Sequence, residues 1–255
     1  MGTLIDHREL MERARKLNLP LGIVEKDYVL GWALYGISRH LKELVFKGGT
    51  ALSKLYFPEI WRLSEDLDFN LGEEAGFDKI IEILENQILP FLEKESGIKF
   101  QVKSKFSNPT YLQVKIQYLA VLGFKNFIKI DISRYKTVEK PVFRKIKLIY
   151  SDYPEFEVKV KTLDEIFAAK VKTILERTRC RDFFDLWKLL EYVDISKIKK
   201  LILLKCEKDQ IDFQKLFKKS KELEDYWQRE MPRLIDPVPD LDIVLEELRK
   251  RLNES

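Results

Sequence analysis

Residues 66–71 read Asp-Leu-Asp-Phe-Asn-Leu and alternate strictly between polar and apolar side chains. Successive residues of a β-strand point to opposite faces of a sheet, so this alternation predicts a half-buried strand with Asp66, Asp68 and Asn70 on one face. Two carboxylates on one face repel each other unless a cation lies between them. The pattern alone is typical either of an exposed acidic strand at the edge of a sheet or of a metal site.

A pair of glycines precedes this strand. A short apolar run at 43–47 ends at Gly48 and Gly49, and helical character then continues from Thr50 up to Pro58. A strand that passes into a helix through two glycines lets the backbone approach a bound group, and the N–H groups at the helix start favour a phosphate. Thr50 is expected to cap this helix and to present its hydroxyl to the phosphate. The alternative is a tight turn that needs only the conformational freedom of glycine.

A third carboxylate lies on a later strand. Between 126 and 135 the isoleucines share one predicted face, while Lys129, Asp131 and Ser133 share the other. If this strand neighbours the first in one sheet, Asp131 converges with Asp66 and Asp68. The alternative is a solvated position at which Asp131 pairs with a lysine such as Lys129.

The composition limits the class of protein. The chain has 255 residues, 45% of them hydrophobic and 35% charged, which is enough for a sizeable core. A net charge of +4 permits a nucleic-acid partner without requiring one. Cys180 and Cys206 lack the spacing of a metal site, and no apolar run is long enough to span a bilayer. These features predict a cytoplasmic protein that does not enter a membrane.

The order of predicted elements gives an α+β fold in three parts. Two helices occupy 1–40, an α/β core occupies 41–155, and a mostly helical part occupies 156–255. In the helical part, the residues from Thr162 to Glu165 have the pattern of a capping box.

These motifs, in this order, resemble the DNA polymerase β-type nucleotidyltransferases and, more closely, the AbiEii/AbiGii toxin family of abortive phage infection systems. The first motif is carried by FKGGTALSKLY and RLSEDLDF. Further similarity lies in EKDYVLGWAL, IKIDIS and AAKVKTILERTRCRDFFDLWKL, so that the resemblance spans about residues 20–235.

The resemblance implies a polymerase-β-like mixed sheet with flanking helices and a set of site residues. The residues implied to bind the nucleotide in the first motif are Gly48, Gly49, Thr50, Arg62 and Ser64. Asp66 and Asp68 are implied to bind Mg²⁺ or Mn²⁺. Asp131 is implied to complete the metal site and to help activate the attacking hydroxyl.

The helical half contributes a second implied set. Lys170 matches the family lysine that meets the nucleotide phosphates, and the family signature continues with Arg177, Arg181, Asp182 and Asp185. On an unbroken helix Lys170, Arg177 and Arg181 would share nearly one face. The alternatives are a solvated helix with ion pairs such as Arg181 with Asp185, and a capping role for Asp182. Residues 25–27 also match a family pattern, but no role is assigned to them.

The expected function is that of a metal-dependent nucleotidyltransferase that moves a nucleoside monophosphate from an NTP to a hydroxyl. Family members imply an RNA acceptor, in particular the 3′ end of tRNA, and a toxin that has a cognate antitoxin. Two alternatives stay open. One is a metal-dependent nuclease or phosphatase built on the same carboxylates, and the other is a catalytically inactive nucleotide-binding module.

Overall fold

The computed structural model describes residues 4–59, 61–72, 76–134, 138–213, 217 and 223–253. It confirms the expected α+β fold, with one mixed seven-stranded sheet in the order β3-β4-β5-β2-β1-β7-β6. The strands are β1 (Val45–Lys47), β2 (Asp66–Asn70), β3 (Lys99–Asn108), β4 (Tyr111–Leu119), β5 (Lys125–Ser133), β6 (Val142–Lys145) and β7 (Glu157–Val160). The chain divides into two compact units, one of residues 1–137 with 141–160 and one of 138–140 with 161–255.

The first unit contains the sheet and the N-terminal helices. Its helices are α1 (His7–Leu17), α2 (Leu21–His40), α3 (Gly48–Ala51), α4 (Phe77–Ile83) and α5 (Leu89–Ser96). A π-helical turn, Leu52–Tyr56, follows α3, and another, Leu84–Ile88, joins α4 to α5. α2 is apolar on nearly all sides and largely buried, and it contacts β2, β5 and β7. This packing makes α2 the central helix against one face of the sheet.

β2 shows why the alternating pattern predicted its faces correctly. Leu67 and Phe69 are buried, whereas Asp66 and Asp68 on the other face are half-buried. β2 lies between β1, to which it runs antiparallel, and β5, to which it runs parallel. The acidic strand is thus central in the sheet, and the alternative of an exposed edge strand is wrong.

The second unit is helical, as expected. Its helices are α6 (Leu163–Glu176), α7 (Cys180–Leu189), α8 (Ile195–Cys206), α9 (Leu223–Glu230) and α10 (Leu241–Asn253). Thr162 caps α6, because its hydroxyl accepts a hydrogen bond from the backbone N–H of Glu165 at 3.1 Å. Within the described ranges, none of the helices in either unit combines the length and apolarity needed to cross a membrane.

Candidate active site

Three adjacent strands bring charged residues into one row across the sheet. Asp68 on β2 is the register partner of Lys47 on β1 and of Asp131 on β5. Register partners on neighbouring strands lie about 5 Å apart and point to the same face. Asp66 lies two residues before Asp68 and therefore shares that face as well. The expected placement of Asp131 beside Asp68 is observed.

Two side chains of β4 hold the carboxylate of Asp131. The hydroxyl of Tyr111 donates a hydrogen bond to Asp131 Oδ1, and Gln113 Nε2 donates to the same oxygen at 2.8 Å. Burial, this hydrogen bond and the nearby charge of Asp68 all raise the pKa of Tyr111, which therefore stays a proton donor. Among the described residues, none donates to Asp131 Oδ2. The expected alternative, a pairing of Asp131 with Lys129, is not observed.

Carboxylate oxygens are the ligands that Mg²⁺ and Mn²⁺ take, so the donor set of Asp66, Asp68 and Asp131 fits such an ion chemically. The three side chains nevertheless do not converge as expected. In the part of the chain that is described, no three His, Cys, Asp or Glu side chains form a group with metal-binding geometry. The physical reason lies partly in Asp131, whose Oδ1 is directed towards Tyr111 and Gln113.

The glycine turn lies directly against Asp68. Gly48 has a φ of +78°, and a Cβ added there would lie 2.8 Å from Asp68 Oδ2. Glycine is therefore required at this position for its backbone conformation and for the close approach of the carboxylate. The expected association between the Gly48 turn and the acidic strand is thus present.

Thr50 has a different task from the expected one. α3 begins after Lys47, and no side chain caps it. Thr50 lies inside the helix, and its hydroxyl donates to the backbone carbonyl of Asp66. The prediction that Thr50 caps the helix is wrong, because the hydroxyl ties the glycine turn to the start of β2. Contact between Thr50 and a phosphate stays a prediction.

Arg62 and Ser64, the other nucleotide-binding candidates of this unit, are both buried. Arg62 Nη1 donates to Ser64 Oγ at 3.2 Å and to the carbonyl of Leu63 at 3.1 Å. These bonds shape the segment that leads into β2. A direct role for either residue in nucleotide binding stays a prediction.

Sequence analysis missed three polar residues on this face. Tyr111 and Gln113 hold Asp131, and Lys47 Nζ donates to Ser133 Oγ at 2.5 Å, one row along from Asp68 and Asp131. The alternation of 111–118 would have placed Tyr111 and Gln113 on one face. Only the strand register shows that this is the face of the carboxylates.

The motif at 25–27, to which no role was assigned, contacts the segments that flank the glycine turn and β2. Asp27 on α2 forms a buried ion pair with Lys54, whose Nζ lies 2.7 Å from Asp27 Oδ1. Lys54 belongs to the π-helical turn that follows α3, and Nζ also donates to the backbone carbonyl of Asp27 at 2.6 Å. Lys26 pairs with Glu65, the residue before β2, at 3.0 Å. Two residues of the motif thus hold the segments on either side of the site.

In the helical unit, the family signature forms one ionic cluster. Lys170 Nζ lies 2.7 Å from Asp182 Oδ1 and 2.7 Å from Asp185 Oδ2. Arg177 Nη2 lies 3.2 Å from Asp182 Oδ2. Lys170, Asp182 and Asp185 are buried, while Arg177 is mostly exposed. These ion pairs join Lys170, Arg177, Asp182 and Asp185 in one cluster.

The segment contains two helices. α6 ends at Glu176 and α7 begins at Cys180, so the condition of an unbroken helix is not met and Lys170 and Arg181 do not share the face of one helix. Asp182 does not cap α7, since the cap residue is Arg179 and the carboxylate of Asp182 goes to Lys170 and Arg177. Asp185 pairs with Lys170, and Arg181 is half-buried. Binding of a nucleotide by this cluster stays a prediction.

A family model and solved structures match this chain. The family model described as "Nucleotidyl transferase AbiEii toxin, Type IV TA system" matches residues 32–251. Among solved structures, MenT4, a nucleotidyltransferase toxin of Mycobacterium tuberculosis H37Rv, superimposes with a TM-score of 0.71 at 20% sequence identity. That alignment covers 96% of this chain and 86% of MenT4, and at this identity it shows a shared fold. No curated protein matches the sequence significantly.

Proposed function

Since the chain belongs to the AbiEii family of nucleotidyltransferase toxins of type IV toxin–antitoxin systems, we propose that it transfers a nucleoside monophosphate from an NTP to a hydroxyl of RNA. The first candidate acceptor is the 3′ end of tRNA. The chain is proposed to act in the cytoplasm and to have a cognate antitoxin as its protein partner. The observation that carries this proposal is the register that sets Asp68 beside Asp131, with the Gly48 turn against Asp68.

The reaction is a substitution at the α-phosphorus of the NTP. The acceptor hydroxyl oxygen forms a bond to this phosphorus, the bond from the phosphorus to the oxygen of the β-phosphate breaks, and pyrophosphate leaves with the electron pair. Asp131 takes the hydroxyl proton. Tyr111 and Gln113 suit it to this role, because they fix the carboxylate through Oδ1 and leave Oδ2 for the incoming proton.

Asp66, Asp68 and Asp131 would hold Mg²⁺ or Mn²⁺, in keeping with the general use of divalent metal ions in the superfamily. When bound, the ion supplies positive charge to the phosphates and to the pyrophosphate that leaves. Binding requires these carboxylates to draw together. Asp68 and Asp131 already occupy paired positions on parallel strands.

Gly48 and Gly49 are proposed to receive the triphosphate. At these residues the backbone passes from β1 into α3 with no side chain between the main chain and the acidic face. Backbone N–H groups at such a turn bind phosphate oxygens. A nuclease or phosphatase on the same carboxylates would have no triphosphate to hold at this turn.

The test is to incubate the purified chain with each α-³²P-labelled NTP, Mg²⁺ and total RNA, and to separate the RNA on a denaturing gel. We expect at least one NTP to label an RNA band and to release an equal amount of pyrophosphate. Absence of label with all four NTPs would contradict the proposal. Shortening of RNA without NTP would identify a nuclease instead.

A further inference from the structure

We propose that the face of β3 and β4 that continues from the carboxylates binds the single-stranded 3′ end of the acceptor RNA, with Phe106 stacking against a base. The inference rests on the proposed function and adds to it the surface by which the acceptor is held.

The strand register joins Phe106 to the carboxylates in one row. Phe106 on β3 is the partner of Gln113 on β4, which is the partner of Asp131 on β5, which is the partner of Asp68 on β2. Each step between strands is about 4.8 Å, so the backbone of Phe106 lies about 10 Å from that of Asp131. This distance is of the order of two to three stacked nucleotides.

The neighbours of Phe106 show which face it occupies. Lys105 points to the opposite face, where its Nζ lies 2.9 Å from Glu85 Oε1 on the turn between α4 and α5. Phe106 itself is 59% exposed, and its ring centroid lies 6.3 Å from that of Tyr111, the residue that holds Asp131. Phe106 and Tyr111 therefore form an accessible aromatic surface that extends from Asp131, the proposed proton acceptor, towards β3.

The same face carries positive charge. In the adjacent row, Lys115 on β4 is paired in register with Lys129 on β5, which is in turn the partner of Asp66. Lys115 Nζ lies 4.3 Å from the centroid of the Phe127 ring. β3 and β4 contain no aspartate or glutamate that would offset the charge of Lys115.

Lysines beside accessible aromatic rings fit a single-stranded nucleic acid, because the lysines contact the phosphates and the rings stack with bases of any sequence. The main-chain edge of β3 could also receive a strand of a protein partner. RNA is favoured because the row of Lys115 and Lys129 and the row of Phe106 both end at the carboxylates, where the acceptor hydroxyl is needed.

The test compares Phe106→Ala and Phe106→Leu with Phe143→Ala. Phe143 is the matched control, since it is 65% exposed and lies on β6, the strand at the other edge of the same sheet. A fluorescein-labelled single-stranded 12-nucleotide RNA measures binding by anisotropy at fixed salt. Transfer assays give KM for the acceptor and for the NTP, and thermal melting confirms that each variant folds.

We expect F106A to weaken RNA binding and to raise acceptor KM by about fivefold or more, as loss of one stacked base predicts. F106L should recover little, because a branched aliphatic side chain does not stack. The KM for the NTP should not change, and F143A should behave as wild type. Equal RNA binding and acceptor KM in F106A and F143A would overturn the proposal and leave the β3 edge to a protein partner.

The outcomes separate this inference from the proposed function. If the wild-type chain labels RNA and F106A labels it equally well, the surface is wrong and the transferase stands. If the wild-type chain transfers nothing to RNA but F106A still loses RNA binding, the surface stands and the acceptor is wrong.

Discussion

Lys54 Nζ lies 2.7 Å from Asp27 Oδ1 in the interior of the sheet unit, and both side chains are almost inaccessible to water. Tyr150 also donates to this carboxylate, at 3.1 Å from Asp27 Oδ2. Burial lowers the pKa of Lys54, and the charge and hydrogen bond of Asp27 counteract that effect. The pair joins α2 to the π-helical turn Leu52–Tyr56, which follows the glycine turn of the candidate site.

Replacing one partner of this pair should destabilise the protein strongly. Asp27→Ala leaves the ammonium of Lys54 buried without its counter-charge, which costs about 3–5 kcal/mol of unfolding free energy. The double variant Asp27→Leu with Lys54→Met should recover most of this loss, since an apolar pair of similar volume needs no desolvation. Urea unfolding measures both. A loss below about 1 kcal/mol in D27A would contradict the interpretation of the pair.

Lys170→Arg tests the predicted contact of Lys170 with the nucleotide phosphates. The arginine keeps the positive charge for Asp182 and Asp185 but has a planar head group and a different reach. We expect a raised KM for the NTP and a lowered kcat with little change in Tm. Lys170→Ala is a poorer test, because it also leaves two buried carboxylates without their partner.

Lys172→Arg is the control for this experiment, since Lys172 lies on the same helix and pairs with Glu176 and Glu207 in a more exposed position. It should leave KM and kcat unchanged. Wild-type kinetics in K170R would show that the lysine serves only the ionic cluster.

Glu25 should make stability depend on pH. Its side chain is fully buried, Oε1 accepts from the N–H of Leu122 at 2.6 Å, and Oε2 has no hydrogen-bond partner among the described residues. Burial, the largest effect, raises the pKa of Glu25 above its ordinary value of 4.5. The folded state therefore keeps a proton that the unfolded chain releases, and stability falls as pH rises from about 4.5 through the raised pKa.

Glu25→Gln removes this titration, so its Tm relative to wild type should be higher at pH 8 than at pH 5. Glu12→Gln, on the exposed side of α1, is the matched control and should show no such trend. Differential scanning calorimetry at the two pH values provides the measurement. A constant difference in Tm between E25Q and wild type at both pH values would rule out the predicted titration.

Local patterns predicted the faces of the central strands but not every strand. Residues 66–71 and 128–133 alternate because each strand has one apolar and one polar face. In both strands the structure places the apolar face in the core, as expected. β3 was missed, because most of its side chains are exposed and a bulge between Val102 and Ser104 interrupts the alternation. β7 was also missed, since its four residues, 157–160, are too few to give a clear period.

Contacts between residues that are far apart along the chain could not be predicted from local sequence patterns. Tyr111 and Gln113 became part of the candidate site only through the pairing of β4 with β5. Thr50 looked like a cap because it follows two glycines, yet its hydroxyl bonds to Asp66, sixteen residues later. The break after Glu176 brings Asp182 and Asp185 back onto Lys170, which a continuous helix would not do.

The central claim is that the acidic face of β2 carries out nucleotide transfer, and the transfer rate of Asp68→Asn tests it most directly. The control is Asp78→Asn, at an exposed position in the first turn of α4. With Mg²⁺ and an NTP that labels RNA in the transfer assay, D68N should lose roughly two to three orders of magnitude in rate. Its Tm should be unchanged or higher, because one of the neighbouring negative charges is gone. A D68N variant that folds and transfers nucleotide as fast as D78N and wild type would contradict the account.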